Sequence, residues 1–358
     1  MSSIDGINII HLMKEIGLYN VTCNTDDNYV QHCCVMLCSL FENNKDLCFH
    51  IHIMTHNLSH KSIDILERLV LRYYHKITIY SVDESKLEGV VFRKNRPLTK
   101  AAYYRVLLPE VLDVSIEKVL YLDCDIVVVG EVKELFEIDL AGYALAACED
   151  PAPYTSLHRR QLNMALGCKA FCSGVMMINL IYWREHAATE KLLAYSKKER
   201  GEVYLHDQDS LNYVFKGKWF KLAYKWNKTP LSIVPLDADQ KIFDMDEFLN
   251  HPIILHYASP LKPWSNVWFP EKKVYDRYLA LSQFPDPKIQ KIGMMKKLFY
   301  YKNIFRYFAN RYLRPFIPRF IEIVLVDILI FLQLIYIIIF KPRKLNKFLF
   351  NIWLSRYK

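Results

Sequence analysis

No pair of CxxC motifs stands anywhere in these 358 residues, so the thiolate zinc frameworks built on that spacing are excluded. The N-terminus, MSSIDGINIIHLMKEIG, lacks a basic start followed by a long apolar core and carries acids instead, which is not the pattern of a secretory signal. Internal repeats and low-complexity linkers are missing up to about residue 287, which leaves no solenoid and no string of small modules. The nine cysteines are odd in number and scattered, several of them inside apolar runs where a thiol behaves as a small hydrophobe. Reduced thiols in a cytoplasmic protein are the simplest expectation. The spacings Cys34-x3-Cys38 and Cys168-x3-Cys172 would set each pair on one side of a helix, but neither completes a metal-ligand set.

A net charge of +9 looks at first like a nucleic-acid signal, and its location argues otherwise. From Lys288 to the C-terminus there are 15 Lys and Arg against Glu322 and Asp327, so the preceding body is mildly acidic. No nucleic-acid partner is expected.

What is present is apolar material: 52% hydrophobic and 14% aromatic residues, enough for one sizeable α/β core with an appendage. Short β-type runs at 19–23, 48–54, 76–81, 118–122, 126–129, 144–148 and 174–179 predict strands. Helical patterning predicts helices over 30–41, 62–74, about 100–108, and from Trp183 into the charge cluster at 197–200. Strands alternating with helices imply a parallel sheet wrapped by helices.

The sharpest local feature is the run Val119-Leu120-Tyr121-Leu122 ending in Asp123-Cys124-Asp125. Two carboxylates at the point where a strand leaves the sheet stand where open α/β folds bind ligands. They repel unless a cation neutralises them, so a bound divalent ion is expected. Manganese or magnesium held by few protein groups keeps positions open to phosphate oxygens, which points to a diphosphate substrate. Asp26-Asp27-Asn28-Tyr29 follows the first strand. These are ordinary turn and N-cap residues, and equally short polar groups suited to a base or ribose. His256 follows an apolar run at 253–255 and precedes Lys262 in a proline-shaped loop. It reads either as a core histidine or as a metal ligand, with Lys262 placed to meet a phosphate.

Taken in order, the segments TDDNY at 25–29, YYRVLLPE at 103–110, VLYLDCD at 119–125, ACED at 147–150, SGVMMINL at 173–180, HDQDSLN at 206–212 and HYASPLKPW at 256–264 resemble glycosyltransferase family 8. That family of retaining transferases includes bacterial lipopolysaccharide galactosyl- and glucosyltransferases and, more distantly, glycogenin. The resemblance spans roughly 17–275 and implies a GT-A fold: a Rossmann-like, mixed but mainly parallel sheet flanked by helices. It further implies a UDP-glucose or UDP-galactose donor, a saccharide or glycolipid acceptor, and manganese or magnesium. By the same resemblance Asp26, Asn28 and Tyr29 would hold the uridine, while Asp123, Asp125 and His256 would bind the metal. Arg105, Asp150, Asp207 and Gln208 would form the catalytic set around the sugar, with Asp207 positioning rather than acting as a base. Cys124, Cys172, Ser173 and Ser259 would border the donor, and Lys262 would reach its diphosphate. Two departures touch the donor: Cys172-Ser173-Gly174 stands where Asn-Ala-Gly is frequent, and Ser259 where glycine is common. Gln208 is a poor nucleophile, so covalent and front-face displacement both stay open. A catalytically silent nucleotide-sugar-binding protein and a glycogenin-like glucosyltransferase are the alternatives.

The expected organisation is an extension at 1–16, a catalytic domain at 17–287 and a basic, aromatic, helical tail at 288–358. Nine Lys or Arg and no acid fall between Lys288 and Ile321, interleaved with Phe and Tyr. Basic residues attract anionic headgroups and aromatic rings settle at the interface. The following run at 323–340 is apolar except for Asp327 and Gln333, short for a span, and suits a helix lying in the interface. The expected location is therefore the cytoplasmic face of the inner membrane.

Overall fold

The computed structural model describes residues 18–91, 100–151, 156–165, 168–197, 205–230, 251–258, 262–266, 269 and 271–293, together with Lys297, Tyr301, Val324 and Ile328. The extension at 1–16, Ser259 and most of 288–358, including the interfacial helix expected at 323–340, lie outside the described residues.

β1 (Tyr19–Asn24), β2 (Phe49–Thr55), β3 (Lys76–Ser81) and β4 (Lys118–Leu122) pair in parallel. After a tight turn, β5 (Ile126–Val128) leaves this sheet. β6 (Leu145–Glu149), β7 (Phe171–Asn179) and β8 (Trp219–Leu222) complete seven strands in the order β3-β2-β1-β4-β7-β6-β8. The sheet is mixed but mainly parallel, as the family resemblance implies, because β7 runs antiparallel to both β4 and β6. This strand also starts earlier than expected, at Phe171, because the small polar Cys172-Ser173-Gly174 carries little strand signal in the sequence. Its reversed direction lays those three residues beyond the carboxyl end of β4.

α1 (Val30–Glu42) and α2 (His60–Arg72) cover one face of the sheet. α2 is amphipathic, burying Ser62, Leu66, Leu69 and Val70 at helical spacing, and Ser59 Oγ caps the Ser62 N–H. By contrast α1 is buried on almost every side, because β5 and a later helix lie on its outer surface. Each fully buried Leu or Val of this core contributes about 1.5–3 kcal/mol. The other face is covered around residues 100–111, but not by the single helix expected there. A 3-10 segment, Lys100–Leu107, passes into α3 (Leu108–Val111), where Pro109 restarts the helix at a position that needs no N–H. α4 (Lys133–Glu137) and α5 (Ser156–Gln161) lie in connections. The long helix expected from Trp183 is split into α6 (Leu180–Glu185) and α7 (Ala188–Ser196), since Ala187 between them takes a left-handed φ of 50°. α8 (Asp207–Val214) follows. β9 (Ile254–His256) then pairs antiparallel with β5, and α9 (Lys272–Ser282) packs against α1.

Candidate active site

The sheet order changes direction at β1, whose neighbours β2 and β4 lead to opposite edges. Parallel folds open a crevice at that point, beyond the carboxyl ends of the strands. Asn24 to Asp27 leave β1 there, and Asp123 to Asp125 leave β4. Two further elements are pinned to the same turn by backbone bonds. The Asp123 N–H donates to Gly174 O on β7 at 2.9 Å, and the Tyr257 N–H after β9 donates to Asp125 O at 2.9 Å. The β5–β9 pairing, with Ile126 opposite His256, thus carries a residue 131 positions downstream of Asp125 to its side.

The Nε2 of His256 lies 3.3 Å from Asp125 Oδ1 and 3.7 Å from Asp123 Oδ2. Donor atoms from all three residues fall within 4.8 Å of one another. Lys262 Nζ is hydrogen-bonded to Asp125 Oδ2 and, at 2.7 Å, to Tyr257 O. Burial alone would raise the Asp125 carboxyl, but the Lys262 and His256 charges outweigh it and hold the carboxyl far below the usual carboxylate range. Burial alone would lower the His256 imidazole; Asp125 overrides it and pushes the imidazole up to about 10. The carboxylates are thus matched by positive charge on His256 and Lys262, the service a divalent cation would render. Two carboxylates and one imidazole suit a manganese- or magnesium-class ion, so the residues fit the group.

Arg105, 4% exposed, ties this corner to the next. Its guanidinium donates to Asp123 Oδ1 at 2.7 Å and to Ser173 O at 2.7 Å, and its Nε lies 3.2 Å from Asp207 Oδ2. Burial drives the Asp207 carboxyl up to about 6 despite Arg105, because Asp123 and Asp209 add negative charge nearby. The Gln208 side chain is held at both ends: Nε2 donates to Asp150 Oδ2 at 2.7 Å, and Oε1 accepts from the Ser173 N–H at 3.0 Å and from Ser173 Oγ at 3.3 Å.

At the crevice mouth Asp26 Oδ1 accepts the N–H groups of Asn28 and Tyr29, closing a turn. Asp27 instead accepts from Ser59 and Ser62 and fastens the start of α2, the turn-and-cap role that the sequence left open. Tyr29 is 39% exposed and stands edge-on to His32 and Trp264, whose rings stack at 3.6 Å. The Cys124 thiol turns into the core and donates to Asn24 O at 3.1 Å, so its side chain does not face the crevice. Cys172 Sγ lies 3.8 Å from His256 Nδ1, behind the ring.

The model of glycosyl transferase family 8 matches residues 20–267, the span that builds this crevice. The chain belongs to glycosyl transferase family 8. General stress protein A of Bacillus subtilis is 29% identical over 281 residues, covering 76% of this chain and 96% of that protein. A lipopolysaccharide 1,2-glucosyltransferase of Escherichia coli is 28% identical, covering 70% and 75% of the two chains. The crystal structure of the galactosyltransferase LgtC with donor and acceptor sugar analogs superposes with a TM-score of 0.66, covering 75% of this chain and 98% of that one. At 23% identity that likeness establishes the GT-A fold of this family 8 member.

One residue beside this site, Asn227, escaped the sequence reading, and the role of another, Gly174, was not visible in it. A Cβ on Gly174 would stand 2.2 Å from His256 Cε1, so glycine is required for β7 to pass the imidazole. Asn227 Oδ1 lies 2.9 Å from His256 Nδ1 and orients the ring. The Gly in SGV was visible as part of a motif; Asn227 belongs to no local pattern and had no signal.

Proposed function

We propose that this family 8 glycosyltransferase moves glucose or galactose from a UDP-sugar to a saccharide acceptor of lipopolysaccharide or another surface glycan, with the anomeric configuration retained. The observation that carries the reading is the meeting of Asp123, Asp125 and His256 within 4.8 Å at the carboxyl end of β4, with Lys262 on Asp125. These three residues would hold manganese or magnesium, which when bound supplies Lewis-acid stabilisation of the departing diphosphate. Lys262 places a second positive charge where that diphosphate leaves, an effect worth most in the transition state. Arg105 fixes the spacing of Asp123, Ser173 and Asp207 around the sugar. Gln208 Oε1 already accepts two hydrogen bonds from Ser173, which makes it a positioning group and favours front-face attack by the acceptor hydroxyl over a covalent intermediate. Asp26, Asn28 and Tyr29 would receive the uridine at the mouth. The similarity to lipopolysaccharide glucosyltransferases supports the acceptor class.

Incubation with manganese and a panel of nucleotide sugars tests this directly. UDP release from UDP-glucose or UDP-galactose, with an α-linked product by NMR, is expected. Release from a different nucleotide, or a β-linked product from an α-linked donor, would remove the assignment. We also propose that the basic, aromatic segment from 288 onward docks the enzyme on the cytoplasmic face of the inner membrane, beside a glycolipid acceptor.

A further inference from the structure

On the inner side of the turn that presents the two carboxylates, three thiols meet. Cys23 comes from β1, Cys33 from the first turn of α1, and Cys124 from between Asp123 and Asp125. All three are buried, and their sulfurs lie within 4.8 Å of one another, with Cys23 Sγ and Cys33 Sγ 3.6 Å apart. None is in a disulfide. The spacings that looked suggestive in the sequence are not the ones that converge. Cys34 and Cys38 stay on α1, whereas Cys172 lies on a strand rather than sharing a helix face with Cys168.

Sulfur ligands about 2.3 Å from a common ion are separated from one another by roughly 3.8–4.0 Å, depending on whether they sit at tetrahedral or trigonal angles. Cys23 and Cys33 therefore stand within a few tenths of an ångström of a ligating separation, with Cys124 Sγ no more than 4.8 Å from either, on three elements that the fold already fixes. The Asn24 carbonyl, which Cys124 Sγ reaches at 3.1 Å, is an oxygen beside the cluster. Other buried thiols differ: Cys38 Sγ meets the Tyr73 hydroxyl at 3.5 Å and Cys148 Sγ meets Ala223 O at 3.1 Å.

We propose that Cys23, Cys33 and Cys124 form a second metal site, specific for a thiophilic d10 ion of the zinc and cadmium class. It stands back to back with the carboxylate and imidazole group and differs from it in ligand softness. Thiolates select zinc, cadmium or copper(I) over manganese and magnesium, whereas the carboxylate and imidazole group takes either class and is kept occupied by excess manganese. Because Cys124 joins Asp123 to Asp125, an ion on the sulfurs tethers the turn that carries both carboxylates to β1 and α1.

Cadmium titration of the full chain in excess manganese is the test, read by sulfur-to-cadmium charge-transfer absorption in the near ultraviolet. The site should saturate at one cadmium per chain, and Cys23→Ser and Cys33→Ser should each lose most of the band. Cys148→Ser and Asp125→Asn should keep it, the latter because the carboxylates take no part. An absent band, or one unchanged in both cluster variants, would overturn the proposal. Should those variants fail to fold, cadmium-edge X-ray absorption of the wild-type protein decides: three sulfur neighbours support the site, and fewer refute it.

Discussion

His256 is steered from behind by Asn227, which is 2% exposed and lies 2.9 Å from the imidazole Nδ1. With the Nδ1–H donated to the amide oxygen, Nε2 is left facing Asp125 and Asp123. A hydrogen bond that fixes ring orientation and tautomer is worth about 10–100-fold in metal affinity. Asn227→Ala should therefore weaken manganese binding by about that factor, measured by electron paramagnetic resonance of the free ion, while thermal unfolding shifts little. Unchanged affinity would show that packing alone holds the ring. Gly174 acts at the same scale by leaving room, since any side chain there would occupy the space of the imidazole.

Among the elements, the pairing of β2 with β3 carries a pH dependence of its own. His52, fully buried, lies between Tyr80 Oη and Asn20 Oδ1 at 3.0 Å each, an arrangement that suits the neutral ring: one nitrogen accepts and the other donates. Burial, with the charges of His50 and Lys76, holds its pKa down to about 3, against 6.5 in the unfolded chain. A depressed histidine pKa means that the unfolded chain takes up the proton first, so stability is lost as pH falls below 6.5 towards 3. Between about pH 7 and pH 5 that loss amounts to roughly 2 kcal/mol. Urea unfolding of His52→Gln should show a pH dependence smaller by about this amount; identical dependence in both proteins would exclude His52 as its source. Elements of this size were also the most legible in the sequence. β1, β2, β3, β4 and α2 announce themselves through apolar runs and helical spacing, and the D-x-D turn follows from where β4 ends. The break at Ala187 did not, because alanine is a strong helix former and nothing in its local sequence signals the left-handed φ of 50° that it takes. Nor did β9, three residues long, whose role depends on pairing with a strand over a hundred positions earlier.

At the scale of the whole molecule, a mildly acidic body precedes a segment with 15 Lys and Arg. Among the described residues no helix is long and apolar enough to cross a membrane. If the segment docks on anionic lipid, the full-length protein should sediment with vesicles rich in phosphatidylglycerol at low salt and be released by high salt, whereas phosphatidylcholine vesicles should leave it in the supernatant. Absence from both pellets would end the docking proposal without touching the active site. The active site is drawn together from β1, β4, β7, α8, β9 and the segment after it. UDP release from the cognate UDP-sugar, followed against manganese concentration in wild-type enzyme and in Asp125→Asn, tests it most directly. Chelator should abolish turnover and Asp125→Asn should lower it by about 100-fold or more, with the fold retained by circular dichroism. Chelator-resistant turnover, or near-normal turnover in Asp125→Asn at saturating manganese, would contradict it.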